Sequence, residues 1–431
     1  MLWYFIAETY YDQTKQQGFF TVKIAHYAQV ITPETGTLLA GYYANDVSAE
    51  ILDDLKLSVL LMDDGDNKGA ILAFDLLGMD EDVSIKIAGD AAEIIGCPTT
   101  NVIITCSHTH SGPHTRSSAA VQRDNVYVSK LYDLVKKGVS EAMKNWQEVD
   151  LFFHSSKCDQ NYNRRYVDGA NKGLGVAGNR WVEPLATEYA DKELGLVIFT
   201  KPNSPCPVGV LVNYAAHPLA AHAMGRGGYR ISADFPGMLR NFIEKESCWC
   251  VFSQGAAGDL FPKNAEGGYE AAADVAKAIA IKTMQNFCDA IRHPEHYRIE
   301  NPKIRTSMEI IPLDFREDKI RNNDLPALYK GQTVMQARVH LFAIGDICFV
   351  GVPGELLNEL GQEIKWHSPF KKAFIFYNST SYLSYICHAN SFFPGGYEQR
   401  TSMIKPYEGL KLVVATIDGM RKLHEPFPEE L

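Results

Sequence analysis

Two histidines separated by one residue, His108 and His110, stand in the segment Ser-His-Thr-His-Ser-Gly-Pro at 107–113. A third, His217, precedes Pro218 in a small, apolar stretch from Ala215 to Ala221, and a carboxylate, Glu355, follows Pro353-Gly354. Two imidazoles and a carboxylate match a catalytic zinc site, which uses three protein ligands and leaves a position open. Zinc held in this way lowers the pKa of its water to about 7, so a hydrolase follows if the segments meet. Each residue also has an ordinary reading. In a chain with 13 histidines, the His-x-His pair fits a metal site and a pair of hydrogen-bonded loop histidines equally well. His217 alone reads as a hydrogen-bonded loop residue. Glu355 alone reads as an acidic group at the start of a helix predicted over 355–366, where the helix dipole favours it. Residues i and i+2 of a straight strand share one face but stand roughly 6.5 Å apart along it. His108 and His110 therefore converge only if the strand has ended, as Gly112 and Pro113 predict by interrupting strand pairing.

The elements that would position these groups are short β-branched or aromatic runs at 101–105, 208–213, 249–252, 347–350 and 373–376. A polar, Gly- or Pro-containing segment follows each: 107–113, 214–218, 254–259, 351–355, and 377–385 with Asn378, Tyr382 and Tyr385. Loops at the carboxyl ends of strands gather on one side of a sheet with helical crossovers, so these segments are expected to share a cleft. Val128, Leu131, Val135, Val139, Ala142 and Trp146 recur at helical spacing, and 234–246 and 269–287 read as helices too. The pattern predicts an α/β fold, a mixed β-sheet core flanked by helices with active-site loops at the C-terminal ends of strands. Neither a fixed-period repeat nor a Pro/Gly/Ser linker divides the chain, which is read as one catalytic unit over 1–431.

Composition narrows the function classes. Against 52 Asp plus Glu there are 42 Lys plus Arg, a formal charge of −10 that argues against nonspecific nucleic-acid binding. With 46% apolar and 22% charged residues, the chain is globular in type. No stretch reaches the roughly 18–20 apolar residues that a membrane-spanning helix needs. The opening residues 1–18 lack a basic n-region and a small-residue cleavage site, so they do not read as a signal peptide. The 9 cysteines contain no CxxC pair and favour a reducing, cytoplasmic setting, although a secreted protein already stripped of its leader would read the same. Cys248 and Cys250, flanking Trp249, are expected to be buried thiols.

The segment 101–113 resembles the His-Thr-His-Ser-Gly-Pro signature of the neutral/alkaline non-lysosomal ceramidases. Further similar motifs fall in family order: Ile31-Thr32-Pro33, Ala40-Gly41-Tyr42, Asn161-Tyr162-Asn163-Arg164, Asp191-Lys192-Glu193-Leu194, 213–217, Ala233-Asp234-Phe235-Pro236-Gly237, 255–259 and Pro353-Gly354-Glu355. The resemblance runs from about residue 22 to about 415. It implies a zinc ion held by His108, His217, Glu355 and Tyr385, the last within Tyr382-Leu383-Ser384-Tyr385, which departs from the usual pattern but keeps its spacing to Gly396-Tyr397-Glu398. It implies that His110, Arg164 and Tyr397 contact the scissile amide and head group. There an imidazole can move a proton, and Arg and Tyr donors can stabilise an oxyanion. Taken without the resemblance, Arg164 reads as a surface salt bridge, and Tyr385 and Tyr397 as core aromatics.

This sequence departs from the family in two ways. The family carries a serine where this chain has Phe261, so hydrolysis here is expected to rest on zinc-bound hydroxide, and the large ring is expected to reshape the substrate mouth. The sequence also ends soon after the tyrosine motif, where the family continues into a β-sandwich domain, and is expected to hold the catalytic domain alone. The implied activity is hydrolysis of N-acylsphingosine or a related, smaller N-acyl amide, with a lipid or small-molecule partner. The alternative is a non-catalytic metal- or ligand-binding relative, motivated by Phe261 and the altered tyrosine segment. A Cys or Ser nucleophile among Cys106, Ser107 and Ser111 lacks a Gly-x-Ser-x-Gly elbow. Asp234 and Asp259 read either as ligands of a second metal or as a helix cap and a turn anchor.

Overall fold

Runs such as Val102–Cys106 and Pro207–Tyr214 bury almost every side chain, which a strand achieves only when both of its faces are covered. The computed structural model describes residues 22–42, 46–165, 190–222, 228–245, 248–392 and 395–424. The 1–18 stretch and position 246, the end of a predicted helix, lie outside them.

The larger sheet comprises β1 (Val22–Val30), β2 (Lys56–Asp63), β3 (Lys68–Phe74), β4 (Val102–Cys106), β5 (Gln147–Lys157), β6 (Glu193–Thr200), β7 (Pro207–Tyr214) and β8 (Trp249–Gln254). Its order is β8-β7-β6-β5-β1-β2-β3-β4. The middle is antiparallel, and each edge is a parallel pair, β3 with β4 and β7 with β8. A smaller sheet holds β9 (Ile304–Asp314), β10 (Val334–Ile344), β11 (Ile347–Gly351) and β12 (Lys372–Phe376) in sequential order, with β11 and β12 parallel.

The two sheets stack face to face. Ile24, Leu60, Ile71 and Leu211 of the larger sheet pack with Phe342, Phe349, Phe374 and Phe376 of the smaller in one buried cluster. Alternate residues serve the other face: Leu57, Val59 and Leu61 point away from Leu60 and Met62, toward α1 (Glu81–Ile95) and α2 (Asn125–Ala142). The β5–β8 half is covered by α3 (Asp234–Glu244) and α4 (Gly268–Arg292), where Cys248 and Cys250 are buried free thiols. The outer face of the smaller sheet is covered by α5 (Asn358–Trp366) and α6 (Glu408–His424).

The expected mixed-sheet core flanked by helices is present, but it consists of two sheets rather than one. Trp146 lies beyond the end of α2, and the helix predicted from 355 begins at Asn358. The edges of the larger sheet meet the parallel pair of the smaller one at Tyr377. Its carbonyl accepts from Cys106 N at 3.3 Å, and its N–H donates to Gln254 O at 3.1 Å.

Phe349 is 1% exposed and packs against Phe374 and Phe376 at ring-centroid distances of 5.6 and 4.9 Å. Phe349→Ala is expected to cost about 3–5 kcal/mol. The check is a lowered midpoint in urea unfolding with an unchanged slope.

Candidate metal centre

The His-x-His segment starts where β4 stops. Ser107 N donates to Phe74 O at 2.8 Å and His108 N to Leu76 O at 2.9 Å, so the segment lies along the chain leaving β3. His108 adopts a left-handed backbone, φ 70°, which re-aims its side chain out of strand alternation. Its Nδ1 then lies 2.7 Å from Leu77 O. Thr109 Oγ1 donates to Ser232 O at 2.7 Å and His110 N to Pro218 O at 3.1 Å. The strand has ended as predicted, but Gly112–Pro113 does not interrupt pairing: it forms a short antiparallel ladder with Leu39–Ala40. A glycine and a proline are tolerated there because the ladder is only two residues long.

His217 follows β7. Its N–H and its Nδ1 both address Leu260 O, at 3.0 and 3.2 Å. The Gln254 amide, at the end of β8, brackets the preceding residue, accepting from Ala216 N at 3.3 Å and donating to Ala216 O at 2.5 Å. Glu355 follows β11 and, contrary to expectation, does not open a helix. Its N–H donates to Ser384 O at 2.9 Å, and Glu355–Leu356 pairs in parallel with Tyr385–Ile386. That ladder places Tyr385 directly beside Glu355. Gly258 permits the close approach of the next turn, since a Cβ there would lie 2.9 Å from the carbonyl oxygens of Glu355 and Leu356.

The side chains converge. Glu355 Oε2 lies 3.3 Å from His108 Nε2 and 3.3 Å from His217 Nε2, and His110 Nε2 lies 3.3 Å from His108 Nε2. His108, His110 and His217 form a buried group whose ligand atoms lie within 4.8 Å of one another. A carbonyl oxygen only accepts, so Nδ1 of His108 and of His217 carries the hydrogen and each Nε2 presents a lone pair. His217 Nε2 makes no hydrogen bond. Two lone pairs aimed at one carboxylate oxygen repel unless a cation lies among them. Two imidazole nitrogens and a carboxylate oxygen, with their second nitrogens held by backbone carbonyls, fit zinc.

Protonation states agree with this geometry. Burial lowers His217 to about 4, and burial, followed by the neighbouring His108 and His217, lowers His110 well below the usual histidine range. Burial is also the largest influence on Glu355 and pushes it up. The Coulombic pull of His108 and hydrogen bonds from His108 and His217 outweigh it and hold the carboxyl well below the usual carboxylate range, as protons shared between Nε2 and Oε2, or a cation in their place, would do. Both oxygens accept phenol hydroxyls, Oε2 from Tyr377 at 3.1 Å and Oε1 from Tyr382.

Arg164 is not at the surface; it is 3% exposed. Its Nε donates to Glu398 Oε1 at 2.6 Å, while Arg165 donates to Glu398 Oε2 at 2.6 Å. The Arg164 NH2 group donates to Gly258 O at 2.9 Å and to the Tyr385 hydroxyl at 3.1 Å. The guanidinium lies 4.7 Å from the Phe261 ring centroid and 5.8 Å from that of Tyr397, which packs 5.6 Å from Tyr385. Phe261 itself sits edge-on to His217 at 5.9 Å. Every residue assigned to the site by sequence therefore falls within one neighbourhood. Sequence reasoning placed Tyr382 on a loop of the shared cleft without giving it a role and assigned none to Tyr377, Arg165 or Glu398, although the Arg164-Arg165 doublet and the Tyr397-Glu398 pair were visible signals.

Asp234 and Asp259 serve the backbone. Asp234 accepts from Ala221 N and Phe235 N, and Asp259 accepts from Asn358 N at the start of α5 and from Asn163 Nδ2. Burial, the largest influence on each, raises them to about 7 and about 6. Neither belongs to a potential metal-holding group among the described residues.

Two outcomes follow from this shell. Glu398→Ala strands two buried guanidinium groups, and a loss of about 3–5 kcal/mol is expected in chemical denaturation. Gly41 has φ 120°, and a Cβ there would lie 2.6 Å from His110 Nδ1. Gly41→Ala is expected to lower thermal stability by about 1–3 kcal/mol and to displace the His110 ring, seen as a shifted imidazole resonance.

No protein-family profile matches the sequence, and no curated protein matches it. Solved structures do. A crystal structure of neutral ceramidase from Pseudomonas aeruginosa superposes with a TM-score of 0.77 at 16% identity, covering 96% of this chain and 76% of that one. A ceramidase complexed with C2 gives a TM-score of 0.77 at 15% identity, with the same coverage of 96% and 76%. The chain is thus built on the neutral ceramidase fold.

Proposed function

We propose that the chain is a zinc-dependent hydrolase of an N-acyl amide, ceramide or a smaller relative. The observation that carries this is the pair of Nε2 lone pairs, from His108 and His217, directed at one oxygen of a buried carboxylate, 3.3 Å from each. The likeness to ceramidase structures supports the substrate class. His108, His217 and Glu355 would hold the metal, with Tyr385 beside Glu355 as a further ligand. Bound zinc supplies Lewis acidity and brings the pKa of water toward about 7.

The chain's own groups do the rest. His110 is neutral, stands 3.3 Å from His108, and takes the proton of the attacking water before returning it to the departing nitrogen. The positive charge of Arg164 and the hydroxyl of Tyr397 stabilise the carbonyl oxygen as it gains charge. Tyr42, Leu219, Phe261 and Tyr162 pack into an apolar wall beside His217 that suits a hydrocarbon chain and excludes water. No helix among the described residues is long and apolar enough to cross a membrane.

A second reading, a metal-binding relative without turnover, is favoured by the arginine itself. Arg164 already donates to Glu398, Gly258 O and Tyr385, which commits much of its donor capacity. The deciding experiment loads the protein with zinc and follows release of fatty acid from a short-chain ceramide by mass spectrometry. Stoichiometric zinc is expected, with turnover that falls about a hundredfold or more in His217→Ala as the metal is lost. Zinc retained by His217→Ala would overturn the ligand assignment. Zinc bound by the parent without turnover of ceramide or smaller N-acyl amides would favour the second reading.

A further inference from the structure

The carboxylate of Glu355 has unequal oxygens. Oε2 faces His108 Nε2 and His217 Nε2 and accepts from Tyr377. Oε1 accepts the hydroxyl of Tyr382. The Tyr382 ring is fixed on several sides. The Arg116 guanidinium lies 4.0 Å from its centroid, and the His108 ring stacks parallel to it at 6.3 Å and 14°. Gly78 gives it room from below, since a Cβ there would lie 2.6 Å from Tyr382 Cδ2. So rigid a phenol is a poor candidate for a mobile substrate-binding group and a good one for orienting a neighbour.

We infer that Tyr382 is a positioning residue: its hydroxyl reserves Oε1 of Glu355, so that the carboxylate offers a single oxygen, Oε2, to a cation held with His108 and His217. This rests on the metal-site reading above. A carboxylate next to a metal can bind through one oxygen or both, and zinc accepts four or five ligands. A donor on Oε1 selects the one-oxygen mode and leaves a coordination position for water or substrate. Outer hydrogen bonds of this kind typically tune metal affinity by 10–100-fold. Tyr377 has a different part, because it donates to the same oxygen that faces the imidazoles and cannot choose between modes.

The test uses cobalt(II) in the full chain, because its visible absorption reports coordination number. Tyr382→Phe keeps the ring and its contacts with Arg116 and Gly78 and removes only the hydroxyl. The expected result is a weaker, shifted absorption band, as the carboxylate closes on the metal through both oxygens, with affinity changed by about 10–100-fold. Tyr377→Phe is expected to keep the parent band shape. Arg116→Met, at a half-exposed position, loosens the Tyr382 ring without touching Glu355 and is expected to move the band in the same direction. A parent-like band and affinity in both Tyr382→Phe and Arg116→Met would overturn the inference while leaving the metal site standing. A parent protein that binds no cobalt or zinc would instead overturn the reading on which it rests. A merely structural Tyr382 would lower the melting temperature and leave the cobalt spectrum unmoved.

Discussion

One backbone residue sets the geometry of the whole centre. Tyr377 leaves β12, accepts from Cys106 N at the end of β4 and donates to Gln254 O at the end of β8. Those are the carboxyl ends of parallel pairs that lie at opposite edges of the larger sheet. The central strands of that sheet are antiparallel, and its twist brings the two edges round toward the smaller sheet. Tyr377 thus occupies the last backbone pairing site of each edge strand. It also fixes, through single hydrogen bonds, how far the His108 segment, the Gln254 amide that brackets the His217 loop and the Glu355 turn can stand apart. The side chain of the same residue donates to Glu355, so the junction and the centre are one structure.

Such tight convergence is held against local strain. His108, Asn378 and Ser384 all have left-handed backbones, with φ 70°, 46° and 63°. For residues with a Cβ this conformation is uncommon and costs free energy. Each is over-determined by neighbours. His108 N and Nδ1 reach Leu76 O and Leu77 O, Asn378 Nδ2 donates to the same Leu77 O at 2.9 Å, and Ser384 O receives Glu355 N. At these three positions the strain falls on residues that aim or hold the candidate ligands, and the hydrogen bonds that offset it come from other strand ends.

Much of this was legible in the sequence, for a physical reason. His108 and His217 stand at the ends of strongly β-forming runs, and in folds with parallel pairs such ends share a side. Glu355 lies beside His108 and His217, but the helix start that its local sequence suggests is not there. Pro-Gly-Glu followed by an apolar run reads as a helix start, yet the N–H and C=O groups at 355–356 are claimed by the 384–386 segment, a partner that local patterning cannot reveal. The same limit hid the second sheet. Val22–Val30 and Gln147–Lys157 mix polar and apolar residues, and alternation shows which side chains share a face without showing which sheet covers it. The roles of Tyr377 and Tyr382 appear only once the position of Glu355 is known, because only then does each phenol hydroxyl have a buried acceptor to meet.

Charge explains why a cation suits this place. Among the buried charged groups around the centre are Arg164 and Arg165 beside Glu398, and Glu355 beside the imidazoles. They are not evenly mixed. Glu398 serves both guanidinium groups, whereas Glu355 faces imidazoles and phenols and no guanidinium. A buried carboxylate without a full counter-charge is costly, and a dication placed among His108, His217 and Glu355 would relieve it. Arg164 would stand on the far side of Tyr385, and the Phe261 ring would keep water from that guanidinium. An excess of positive charge in a dry setting favours whatever anion forms there. A dication that relieved the carboxylate would therefore also lower the cost of negative charge on an oxygen beside it.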